Sequence, residues 1–229
     1  MCQLMKTVLF LAFLLFASYS PAASKQDVLP VPPNAVPEII ASDMRFNGAP
    51  MQIVQFASLD SKETLKFYQD FFSKNAEKGK FAVTPANGGV MIGALMGERL
   101  VTIEIHGQPG EAANVLVSSI KPKLAQSPEK LARDIPRMPG TKVLQHQDSR
   151  DGGKTNRFII TQNKQSVEGN AMYLREHYIR SGWQRDKDDT IQSGEHRQLG
   201  FSKERRHLLV DVQKTDLDTT TVIYNEMTE

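Results

Sequence analysis

Alternation at period two marks the middle of both halves of this chain. Val101, Ile103 and Ile105 alternate with Thr102 and Glu104, and Leu208, Val210 and Val212 alternate around Leu209 and Asp211. Successive side chains of a strand point to opposite faces, so each run predicts a strand with one buried and one wet face. Residues 51–57, 114–119 and 220–225 read as further strands. Elsewhere the period lengthens. Leu65, Tyr68 and Phe72 recur at helical spacing behind Asp60, which is placed to cap the first turn, with Glu63 placed to reach back to the cap. Ser166 opens a second such stretch, with Val167, Ala171, Leu174 and Tyr178 on its stripe and Gly182 as its stop. Gly169 weakens that helix by up to ~1 kcal/mol relative to Ala, and Trp183 is placed to fold back on the helix end. Hairpin signals stand at Asn87-Gly88-Gly89 and Asp151-Gly152-Gly153.

The two patterns are copies of one another. Residues 93–118 lie on 200–225 at a constant offset of 107, which sets Val101, Ile103 and Ile105 on Leu208, Val210 and Val212. At an offset of 106, Leu65, Tyr68 and Phe72 fall on Ala171, Leu174 and Tyr178. At 105, Asp43 and Gly48 fall on Asp148 and Gly153. The offset drifts only where loops are expected, which points to an internal duplication. The expected fold is therefore α+β: two tandem copies of a β-β-α-β-β-β module, antiparallel sheet with one helix packed on a face of each, the sheet either continuous across both copies or divided between two domains. The modules are expected at 38–120 and 141–229. A Pro-rich N-terminal segment at 24–37, extended in character, precedes the first, and a connection at 121–140, with a short helix near 127–133, joins the two.

Composition adds an address. Lys6 precedes an apolar run from Val8 to Ala17, followed by small residues up to Ala23, which is the order of a secretory leader. A cleavable signal peptide at 1–23 and a periplasmic location follow as expectations. Cys2 is the only cysteine and lies in the leader, so the mature chain is expected to form no disulfide and to offer no thiol nucleophile or ligand. No second long apolar segment follows, so no transmembrane segment is expected in the mature chain. The whole chain carries 28 Lys and Arg against 26 Asp and Glu, without the basic excess of a nucleic-acid binder.

Candidate chemistry is sparse. Of five histidines, His196 and His207 are expected on neighbouring strands, where Glu195 or Asp211 would supply a third metal ligand. Two separate surface imidazoles are the stronger expectation, and no metal or cofactor is assigned. Asp186-Lys187-Asp188-Asp189 has Ile191 where a calcium loop needs Gly, and so reads as a solvated turn. The glycine clusters fit no phosphate-binding motif. No catalytic residue is assigned. Lys203, Arg205 and Arg206 form a basic cluster at a turn, a candidate contact for a small anion. Residues 88–100 are apolar on both alternating faces, whereas their counterpart at 194–207 is polar. Either 88–100 is a buried central strand, or Val90, Met91, Ile92, Leu95 and Met96 form an exposed partner-binding edge.

Phe67-Tyr68 with Phe72, and Tyr173-Leu174 with Tyr178 and Gly182-Trp183, resemble the "FY…GW" helix module of small exported Gram-negative proteins. The first copy departs from it, with Ala76-Glu77 in place of Gly-Trp. The resemblance implies an envelope context and carries no catalytic residue. The expected function is a non-catalytic periplasmic accessory protein that docks on another envelope protein of a secretion, pilus or cell-wall machine. The alternative is an envelope-polymer enzyme, or enzyme inhibitor, using carboxylates or histidines that converge between the two modules.

Overall fold

The computed structural model describes residues 30–86, 88–151, 153–191, 194–216 and 218–229, and the leader expected at 1–23 lies outside them. Strands β1 (Glu38–Phe46) and β2 (Ala49–Ser58) form a hairpin, helix α1 (Ser61–Asn75) follows, and β3 (Phe81–Ala86), β4 (Gly89–Met96), β5 (Arg99–His106) and β6 (Ala113–Ile120) complete the first half. A connection carrying the one-turn helix α2 (Pro128–Leu131) leads to the same succession: β7 (Lys142–Asp151), β8 (Lys154–Asn163), α3 (Val167–Arg180), β9 (Gln184–Ile191), β10 (His196–Lys203), β11 (Arg206–Asp216) and β12 (Thr219–Thr228).

All twelve strands join a single antiparallel sheet in the order β3-β4-β5-β6-β2-β1-β7-β8-β12-β11-β10-β9. Exchanging the two halves leaves this order unchanged. The halves meet where β1 pairs with β7, with Asp43 opposite Arg150, Met44 opposite Ser149 and Arg45 opposite Asp148. Asn47, at φ 49° in the β1–β2 turn, extends the junction. Its N–H donates to the His146 carbonyl at 2.7 Å, and its Oδ1 accepts from the His146 N–H at 2.9 Å.

This architecture corrects the expected α+β class. The protein is predominantly antiparallel β, one continuous sheet in which strand far exceeds helix, and not an α+β fold. The discrepancy comes from strands that carry no alternating apolar signal. β9 reads QRDKDDTI and β3 contains Pro85, and each pairs on one side only, as an edge strand. An edge strand is tolerant of charge and of proline, because half of its backbone groups face no neighbour.

Both long helices lie on one face of the sheet. Tyr68 and Phe72 of α1 pack on Ile92, Ile103, Ile105, Val115 and Val117, while Leu174 and Tyr178 of α3 pack on Leu199, Phe201, Val210, Val222 and Tyr224. Asp60 caps α1 by accepting from the N–H groups of Lys62 (2.8 Å) and Glu63 (3.2 Å). Ser166 caps α3 by accepting from Gly169 at 3.0 Å. A Cβ at Gly169 would sit 2.9 Å from that Ser166 oxygen, so the glycine gives the cap room. Gly182, at φ 79°, ends α3, and the Trp183 ring returns edge-on to Tyr178 at 5.5 Å.

The segments leading into the two halves are built into the core rather than simply extended. Val31 and Ala35 pack against the first core, and Ala132 and Ile135 against the second. Each segment is held by a tyrosine hydroxyl donating to a proline carbonyl at 2.8 Å: Tyr68 to Pro30 and Tyr224 to Pro136. The first tyrosine reaches from the helix and the second from the sheet. Among the described residues no helix is long and apolar enough to cross a membrane.

Candidate functional site

Where the halves meet, the helix-bearing face is polar and hollow. Two transverse rows of side chains form its floor, following the strand register. One runs Asp43, Arg150, Thr155, Thr228, Arg206, and the other Arg45, Asp148, Arg157, Glu226. Together they line a hollow of about 450 Å³. The repeat gives it local symmetry, because Asp43-Met44-Arg45 and Asp148-Ser149-Arg150 occupy equivalent positions 105 residues apart and face each other across the β1–β7 pair.

The four guanidinium groups of the hollow are not alike. Arg157 Nε donates to His146 Nε2 at 3.1 Å, and its two terminal nitrogens engage both Asp134 oxygens at 2.5 and 2.6 Å and the Leu131 carbonyl at 3.0 Å. Arg206 holds Glu226 at 2.6 Å and lies over the Trp183 ring at 4.8 Å. Arg45 and Arg150 make no side-chain hydrogen bond or ion pair among the described residues.

His146 lies beside this floor, on the same face of β7 as Asp148 and opposite the core residue Ile159, and is only 4% exposed. Its Nε2 accepts from Arg157, which leaves the proton on Nδ1, and Nδ1 stands 3.4 Å from Asp148 Oδ2. Burial holds the imidazole below the usual histidine range, against the opposing pull of Asp148. The hydrogen bonds from Arg157 hold the Asp134 carboxyl below its usual range. His146 is therefore a neutral structural acceptor that touches the hollow only through Asp148 and Arg157.

The opposite face of the sheet bears no helix among the described residues. One transverse row there crosses ten strands: Leu95, Leu100, Ile120, Met51 and Met44 in the first half continue through Ser149, Asn156, Met227, His207 and Ser202 in the second. Equivalent positions thus carry an unbroken apolar run in one half and a mainly polar run in the other. Leu95 is 42% and Leu100 39% exposed.

The proposed partner-binding edge needs correction. β4 is paired on both sides, by β3 and β5, so Val90, Met91, Ile92, Leu95 and Met96 do not form an edge. Ile92 is core, and Val90 and Met96 pack against it, leaving Met91 and Leu95 on the helix-free face. The basic cluster divides. Lys203 donates to the Ser181 carbonyl at the end of α3 (2.8 Å), Arg205 is exposed at the turn, and only Arg206 lines the hollow.

His196 and His207 do not approach one another. His196 lies opposite Gln213, at the far end of the hairpin from the Ser202–His207 pair. His196 instead meets Asp211 at 3.0 Å, as His106 meets Glu104 at 3.1 Å. The solvated turn expected at 186–189 is part of strand β9, with Asp188 held by Arg175, Arg185 and Arg197. No group of three or more metal-ligating side chains occurs among the described residues.

Sequence reasoning aligned Asp43 with Asp148 but did not place them in a site. The available signal was the twice-repeated Asp-x-Arg, whose meaning depends on a pairing between strands about a hundred residues apart. Comparison with protein-family models, with curated proteins and with solved structures finds no match to this chain.

Proposed function

We propose that the protein is a non-catalytic docking module of the cell envelope, exported by its leader, that binds another envelope protein through the helix-free face of its first half. The supporting observation is the internal control supplied by the repeat. On the helix face, burial explains why both halves are apolar: Ile92 and Leu199 are equivalent and both are core. On the helix-free face the sheet forms with Ser202, His207 and Asn156 in one half, so folding does not require their counterparts Leu95, Leu100 and Met51 in the other. A contiguous apolar run that the fold does not need, exposed at Leu95 and Leu100 and half-buried at Met51, is the usual mark of an interaction surface.

A photo-crosslinking amino acid placed at Leu100 in the native host tests this reading, with the equivalent His207 as its control. A discrete protein adduct at 100, absent at 207 and lost on Leu95→Asp, is expected. Equal labelling at both positions, or none at 100, would overturn the reading. A second reading, an enzyme or inhibitor acting on envelope polymers, draws support from Asp43 and Asp148, which converge between the halves. Polymer turnover by the purified protein, abolished by Asp148→Asn with the fold intact, would favour it.

A further inference from the structure

The hollow at the junction has no part in that docking face, and its composition points to a ligand of its own. We propose that it binds a small hydroxylated anion, a sugar carrying a carboxylate or phosphate. Arg157 and Arg206 are committed to Asp134, His146 and Glu226, so their charge is balanced within the protein and their geometry fixed. Arg45 and Arg150 lie in the same hollow, on a diagonal of the β1–β7 pair, with their donors uncommitted among the described residues. Guanidinium forks match carboxylate and phosphate oxygens in pairs of parallel hydrogen bonds.

The register sets an aspartate opposite each of these arginines, yet neither Asp43–Arg150 nor Arg45–Asp148 closes into an ion pair. The hydroxyls of Thr155 and Thr228 line the same floor as further donors, and Asp43 is an acceptor for ligand hydroxyls. Two uncommitted guanidinium groups and hydroxyl donors, with the carboxylates of Asp43 and Asp148 beside them, suit a polyol bearing an acidic group and do not suit a neutral apolar molecule. A volume of about 450 Å³ accommodates a ligand of monosaccharide or disaccharide size.

The test uses the full mature chain at low ionic strength, where screening is weakest. Glucuronate, glucose 6-phosphate and glucose are titrated separately and followed by amide chemical shifts. Saturable shifts centred on β1, β7 and β8 are expected with one or both anions and none with glucose. Tighter binding of glucuronate would assign a carboxylated sugar, and tighter binding of glucose 6-phosphate a phosphorylated one. The double variant Arg45→Met/Arg150→Met removes two exposed side chains, and its unchanged backbone spectrum away from the hollow would show the fold intact. It should weaken binding at least about tenfold. Absence of saturable binding of either anion, or binding that the double variant leaves unchanged, would overturn the proposal.

Discussion

The hydroxyl of Tyr224 offers the cleanest quantitative test of how the connection is held to the sheet. It donates to the Pro136 carbonyl at 2.8 Å in a buried setting, with the ring itself 3% exposed. Burial pushes the phenol far above its ordinary range, so it remains a donor at neutral pH. Tyr224→Phe keeps the ring and opens no cavity. It leaves a buried carbonyl without its partner, which costs about 1–3 kcal/mol. With a urea m-value of about 2–3 kcal/mol/M for a chain of this size, the midpoint should fall by about 0.3–1.5 M at unchanged slope. Hydrogen exchange should accelerate first in the connection at 132–137. Tyr173→Phe, whose hydroxyl makes no comparable bond, should change stability by less than about 0.5 kcal/mol. A Tyr224→Phe protein that unfolds at the wild-type midpoint would refute the claim that this bond fastens the connection.

Three further outcomes are expected. Phe72→Ala removes a fully buried ring that meets Tyr68 and Phe81 at a tilt and Phe71 edge-on, and should cost about 3–5 kcal/mol in denaturant unfolding. Glu204 sits at φ 55° where its repeat counterpart Gly97 sits at φ 60°, so Glu204→Gly should relieve left-handed strain and raise stability by about 0.5 kcal/mol, a small rise in melting temperature. His146 is held neutral below its ordinary pKa, so the unfolded chain takes up its proton first. Stability should therefore decline as pH falls below about 6.5, and further in the carboxylate range as Glu129, Asp134 and Asp188 are forced to protonate. His146→Gln, which keeps an acceptor for Arg157, should flatten the pH 7-to-5 part of that decline in thermal melts.

What the sequence disclosed, and what it hid, follows from the range of the interactions involved. The helices were legible because Asp60, Ser166 and the stripes through Tyr68–Phe72 and Leu174–Tyr178 act within a turn or two of backbone. Trp183 was legible for the same reason. β9 was not, because its acidic residues are stabilised by Arg175 on α3 and Arg197 on β10 rather than by an apolar neighbour. β1 was obscured by two register shifts that break its alternation. The asymmetry between 88–100 and 194–207 was visible, but sequence could not assign it to a face. The structure divides it: Ile92 and Ala94 match Leu199 and Phe201 in the core, and the difference falls on Met91, Leu95 and Leu100 outside it. The hollow was least legible, since its floor needs Asp43 and Arg150 side by side across the junction.

The pairing of β1 with β7 also bears on ancestry. Met44 and Ser149 occupy equivalent places in the two copies and lie opposite each other, so the β1–β7 contact is made between matching surfaces. A strand that pairs in this way is complementary to itself, which is the condition for a two-fold homodimer. A single half-length chain would present the same β1 edge, with its Asp-x-Arg, to a second copy of itself, and the two would reproduce this sheet and a symmetric version of the hollow. Joining two such chains end to end through the connection would then free the copies to diverge. One copy now carries an apolar outer face and the other a mainly polar one, an asymmetry that a homodimer encoded by one sequence cannot evolve. The outer strands β3 and β9 carry proline and a run of charge, which end the sheet at twelve strands rather than letting it extend from molecule to molecule.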